Sequence, residues 1–170
     1  QFEMDKNIYV VKPSLCSLQE FMEQLSPAWE SGVLTHNGPL VQKLEKDICS
    51  FLGLKNYVSV VNGTMALQLA LNYFRDKKSN KRREVIIPSF TWAATATAVT
   101  YEGLVPIACD IDPDTYNMDP NHLERHINEN TLAIMPVHVF GQPVDISAIE
   151  IIAQRFGVPV IYDAAHAFGA

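Results

Sequence analysis

Short runs of β-branched and aliphatic residues alternate along this chain with longer stretches whose apolar positions recur every three or four residues. The runs are YVSVV (57–61), EVIIP (84–88), VPIACD (105–110), TLAIMPVHV (131–139) and PVIYD (159–163). Their near-continuous apolarity predicts strands covered on both faces. The first helical stretch is SLQEFMEQLSPAWESG, which Pro27 disturbs. The second, GPLVQKLEKDICSFLG, has Pro39 at its start and Gly53 just past its end, as helix termini favour. Leu40, Leu44, Ile48 and Phe51 fall on one side of it, which predicts a buried face. Further helices are predicted over TMALQLALNYF, WAATATAVTYEG, DPNHLERHINEN and DISAIEIIAQRFG, the last two capped by Asp119 and Asp145. Strands alternating with helices predict an α/β fold, a mostly parallel sheet with helices on both faces.

Composition narrows the function classes. The 170 residues are 48% hydrophobic and 19% charged, which suits a globular protein with a core of useful size. A net charge of −6 weighs against nucleic acid or an anionic membrane as partner. The basic stretch RDKKSNKRRE (75–84) reads as a solvated helix end and linker. Cys16, Cys49 and Cys109 are scattered without a C-x-x-C pair, which argues against zinc or a disulfide framework and suits a reducing, cytoplasmic compartment. No apolar run approaches the roughly 18 residues of a membrane span. QFEMDKNIYV lacks the basic start and long apolar core of a signal peptide.

An open parallel sheet binds its ligand at the carboxyl ends of its strands, so candidate chemistry is sought there. After the first run comes NGTMALQLAL, where Gly63 permits a tight turn and Thr64 opens a helix. Its free amides and the Thr64 hydroxyl suit an anion, although a capped helix with no ligand fits as well. After the second run comes PSFTWAATATAV, in which Trp92 is either a ring-stacking residue or a core tryptophan. His138, in an apolar strand, reads as a hydrogen-bonded core residue. Asp163 ends the last run and His166 follows it. A carboxylate there needs a cation or donor, which a pyridinium nitrogen supplies; a helix cap beside a surface histidine is the alternative. A phosphate cradle, a flat aromatic and an acid for a ring nitrogen match the three handles of pyridoxal 5′-phosphate (PLP). No dinucleotide or P-loop glycine fingerprint is present.

The segments GVLTHNGPLVQKLEKDICSFLG, VVNGTMALQLAL, VIIPSFTWAATATAV, CDIDPDTYNMDPNHLE, IMPVHVFGQPVDI and VIYDAAHAFGA occur in this order. In them the chain resembles the DegT/DnrJ/EryC1/StrS family of PLP-dependent nucleotide-sugar aminotransferases. The resemblance implies the large-domain portion of the type I aminotransferase fold, with an N-terminal arm and helix over 1–38 and part of the PLP-binding domain over 39–170. It implies that the backbone of Thr64 and Met65 holds the phosphate, that Trp92 stacks on the ring, that Asp163 pairs with its nitrogen and that His166 contacts its hydroxyl. Thr35 and Asn37, in LTHNGP, resemble a substrate loop.

The activity so implied is transfer of an amino group, with glutamate as donor, to a nucleotide-linked 4-keto-6-deoxy sugar in deoxyamino-sugar biosynthesis, as for lipopolysaccharide O-antigen. Amination at C4 is expected ahead of C3, in a cytoplasmic homodimer with active sites at the subunit interface. The family's catalytic lysine lies downstream of the aspartate motif, and Lys6, Lys12, Lys43, Lys46, Lys55, Lys77, Lys78 and Lys81 all precede the third run. No catalytic residue is therefore assigned. The chain reads as the N-terminal half of the architecture, without the C-terminal remainder, and on its own is expected to bind PLP only noncovalently and without turnover. The alternatives are a sugar dehydratase on the same scaffold and a non-catalytic remnant.

Overall fold

A computed structural model describes residues 13–77 and 81–169. The start of the expected N-terminal arm, with Lys6 and Lys12, and Lys78 in the basic stretch lie outside the described residues. Chain contacts divide the molecule into two compact units, Gln1–Ser59 and Val60–Ala170, so residue 38 falls inside the first.

The first unit holds two helices, α1 (Leu18–Ser31) and α2 (Pro39–Leu52). Ser17 and Glu20 form a reciprocal capping box at the start of α1, and Gly32 ends it in the left-handed conformation. The helix runs through Pro27 without a break. Pro39 opens α2 and Gly53 closes it, as the sequence predicts. The apolar face of α2 is not buried. Leu40, Leu44 and Phe51 are exposed and Ile48 is only half-buried.

The second unit is a three-stranded parallel sheet in the order β2-β1-β3: β1 (Glu84–Pro88), β2 (Val105–Cys109) and β3 (Thr131–Ile134). Alternate residues of β1 face opposite ways, the period expected of a strand. Val85 and Ile87 pack with Leu67 and Leu71 of α3 (Gly63–Asp76) and with Ala98 and Val99 of α4 (Ala93–Tyr101). Ile86 packs with Leu123 of the single turn α5 (Pro120–Leu123) and with Ile149 and Ile152 of α6 (Ile146–Phe156). Helices therefore cover both faces, and the fold class is the α/β one predicted. Cys109 lies in the second core, its thiol pushed up to about 11 by burial and then by the neighbouring Asp110 charge.

Two predicted strands differ. Residues 57–61 pair with no strand among the described residues. Val58 and Val61 are 75% and 81% exposed, so β-branched composition has no partner ladder to stabilise there. Residues 159–163 run parallel to β3 and to the residues just after it, but pair there only as isolated bridges, Ile134–Val160 and Val137–Asp163. Pro136 has no amide to donate, and the pairing passes instead through Asp163 N–H to the Pro136 carbonyl (2.9 Å) and His138 N–H to the Asp163 carbonyl (3.0 Å). The predicted helix over 119–130 shrinks to α5 and a 3₁₀ turn at Glu124–His126. No described helix is long and apolar enough to cross a membrane.

Candidate functional site

The carboxyl ends of β1, β3 and the 159–163 segment open onto one cavity of about 620 Å³ in the second unit. Its walls are Gly63 and Thr64 at the start of α3, Phe90–Trp92 after β1, Val137, Val139 and Phe140 after β3, and Asp163 with His166 beyond the last segment. Of the seven residues singled out in the sequence, four (Thr64, Trp92, Asp163 and His166) line this cavity.

Asn62 caps α3: its Oδ1 accepts from the Met65 amide at 2.9 Å and its carbonyl from Ala66 at 3.2 Å. The amides of Gly63 and Thr64 precede the first intrahelical bond, so they are the orphan donors of this 14-residue helix. Met65 is not part of the cavity wall, and its amide is already engaged. Trp92 precedes the first residue of α4 and is 78% exposed, which disposes of the core-tryptophan alternative and leaves an indole face free. Thr35 and Asn37 belong to the first unit. There Thr35 Oγ1 lies 2.8 Å from His36 Nδ1, and His36 and Asn37 adopt left-handed backbone (φ 53° and 60°).

Among the described residues Asp163 carries the only carboxylate in the cavity wall. Its Oδ1 accepts from the Ala165 amide at 3.2 Å and its Oδ2 from the Thr95 hydroxyl at 3.0 Å. Thr95 is fully buried in α4, and Thr91 Oγ1 lies 2.7 Å from its oxygen. Composition gave no hint of this contact, because a threonine in AATATAV looks like any small helical residue.

Part of the wall is aromatic. Phe140 stacks on His166 (centroids 6.4 Å apart, planes 7° apart) and meets Phe90 at 6.2 Å, while Phe90 meets Tyr116 at 5.6 Å. Phe140 and Tyr116 both have positive φ (53° and 59°), a conformation that side chains other than glycine rarely hold without support. Asn117 gives that support. Its buried amide donates to the Gln142 and Pro143 carbonyls (3.1 and 3.2 Å), and its Oδ1 accepts from the Val139 amide at 3.0 Å. Gly141 completes the corner at φ 83°, where a Cβ would come within 2.9 Å of the His166 carbonyl oxygen. His138 is a core residue, as the sequence suggests: its Nδ1 accepts from Val144 at 3.2 Å and its ring stacks on Tyr162 at 5.5 Å. Burial lowers the His138 pKa, and the nearby Asp163 charge only partly opposes that. Tyr162 is pushed upward, by burial first and then by its hydrogen bond to Glu150.

The chain matches the model of the DegT/DnrJ/EryC1/StrS aminotransferase family over residues 16–170. It belongs to that family. It is 42% identical over 165 residues to a dTDP-4-amino-4,6-dideoxy-D-glucose transaminase of Escherichia coli, covering 97% of this chain and 43% of the relative. It is 46% identical over 167 residues to the transaminase of that name from Shigella dysenteriae, covering 98% of this chain and 44% of the relative. Among solved structures it resembles NtdA from Bacillus subtilis with bound cofactor PMP. The TM-score is 0.80 at 33% identity, over 86% of this chain and 33% of that one. The chain thus spans less than half the length of these curated relatives.

Proposed function

We propose that this chain forms the cofactor-binding half of a PLP-dependent aminotransferase acting on a nucleotide-linked 4-keto-6-deoxy sugar, with glutamate as donor and C4 as the aminated carbon. The observation that carries the reading is the meeting of Thr64, Trp92, Asp163 and His166 in one cavity of a family member. The donor set fits PLP: orphan amides for a phosphate, an open indole face for a ring, and a lone carboxylate for a protonated ring nitrogen.

When bound, PLP would supply an aldehyde carbon to carry the amino group from the donor to the keto sugar and a conjugated ring to act as electron sink. In this reading Asp163 keeps the proton on the ring nitrogen, with Thr95 and Ala165 fixing the carboxylate. Gly63 and Thr64 bind the phosphate through their amides and the Thr64 hydroxyl. Met65 contributes position only, since its amide serves Asn62. Trp92 lies against the ring and excludes water from that face. His166, oriented by Phe140, donates a hydrogen bond to the ring's hydroxyl oxygen. Thr35 and Asn37 form a substrate loop. No described lysine lines the cavity, so the lysine that would move protons and hold the cofactor covalently is sought outside the residues assigned here. A cytoplasmic homodimer is part of the same proposal.

The test is a protein of the relatives' full length supplied with PLP, glutamate and a dTDP-linked 4-keto-6-deoxy sugar. The expected products are the 4-amino sugar and 2-oxoglutarate in equal amounts. Sugar that loses a hydroxyl without gaining nitrogen would identify a dehydratase and sink the transaminase reading.

A further inference from the structure

Threonine inside a helix normally turns its hydroxyl back on its own carbonyls. Thr97 and Thr100 of α4 do this, donating to Ala94 and Thr97 carbonyls at 3.1 Å each. Thr95, on the buried face of the same helix, does not. Its hydroxyl donates instead to Asp163 Oδ2 at 3.0 Å, 68 residues away. A hydroxyl has one proton, so with that proton committed Thr95 must accept from Thr91, whose oxygen is 2.7 Å away. The Thr91 proton therefore points to Thr95 and the Thr95 proton to Asp163, a relay with one direction. Oδ1 is held by the Ala165 amide at 3.2 Å, so each carboxylate oxygen has a fixed protein donor, and the one on Oδ2 comes from a residue that does not line the cavity.

We propose that Thr95, seconded by Thr91, is a positioning residue for Asp163: the two-hydroxyl relay fixes the plane of the carboxylate so that its remaining lone pairs meet a protonated ring nitrogen in the cavity. This rests on the PLP reading of the site and adds the group that aims its acid. Thr95 never touches the ligand. Because it is fully buried, its hydroxyl cannot exchange Asp163 for water.

The experiment measures the affinity of the protein for pyridoxamine 5′-phosphate, whose amine avoids adventitious reaction with lysines. The same is measured for the analogue in which CH replaces the ring nitrogen. The wild type should prefer the nitrogen-containing ring. Thr95→Val, which keeps the shape and removes the donor, should lose about tenfold in affinity for that ligand. It should bind the CH analogue as the wild type does, and Thr95→Ser should restore the preference. Should the valine variant be unfolded by circular dichroism, Thr95→Ala carries the same prediction, since alanines already surround it in α4. Equal losses for both ligands would show a merely structural threonine and overturn the inference. An unaffected Thr95→Val alongside an Asp163→Ala variant that loses the preference would overturn it too, while leaving the PLP site intact. A wild type that does not distinguish the two ligands would remove the Asp163 contact, and with it both readings.

Discussion

The His138 ring accepts the Val144 amide through Nδ1, which leaves its single proton on Nε2 and the ring neutral. Protonating Nδ1 would break that bond and put a charge into a site that already lowers the His138 pKa by burial. The native state therefore binds fewer protons here than the unfolded chain does. The contribution to stability is present above the usual histidine value of about 6.5 and is lost as the pH falls through the lowered folded value. Urea midpoints measured at pH 7.5 and pH 5.5 should fall for the wild type by more than for His138→Asn, which can accept from Val144 but cannot titrate. Equal falls would remove His138 as the acid-sensitive group. The residue scale also shows what a sequence conceals. Asp163 and Trp92 stand out in one dimension because a carboxylate or an indole at a strand end needs explaining. Thr95 and Asn117 do not, because their importance lies in partners 68 and 22 to 26 residues away.

Helix ends were the most legible elements, because their chemistry is local. Asp119 and Asp145 cap where expected, accepting from Asn121 and Ala148, and Pro39 and Gly53 bracket α2. Strands depend on neighbours, so the 57–61 run fails as a strand and 159–163 survives only as bridges. The aromatic wall of the cavity is an element of this non-local kind. The chain makes an antiparallel bridge at Ile111–Met118, which presents Tyr116 to Phe90 and turns Asn117 inward to the 139–143 corner. Replacing Asn117 with alanine leaves the buried Val139 amide without its partner and removes the two bonds to the Gln142 and Pro143 carbonyls, at a cost of about 2–4 kcal/mol. Hydrogen exchange at Val139 should accelerate along with a lower denaturation midpoint, while α3, on the other face of the sheet, keeps its protection in the native state. Unaltered exchange at Val139 would mean that the corner is held by Gly141 and the Phe140 stack alone.

At the scale of the whole molecule, apolar surface is the quantity out of balance. In the first unit Leu18, Phe21, Met22 and Trp29 of α1 are exposed, and Leu44 and Phe51 of α2 with them. Leu18, Met22 and Trp29 recur at spacings of four and seven, one stripe along the helix rather than scattered residues. A stripe of this kind in contact with water favours association, since each fully buried side chain of this size gains about 1.5–3 kcal/mol. The homodimer in the proposed function supplies an occupant, a second copy of the same chain. Sedimentation velocity at tens of micromolar should then give a mass above the 19.0 kDa of a single chain. Phe21→Glu with Met22→Glu should return it toward that value with unchanged circular dichroism, because both positions already face solvent and their replacement disturbs no core. If the wild type already sediments as one chain, or if the glutamates leave its mass unchanged, the stripe has another use and the dimer loses its structural support.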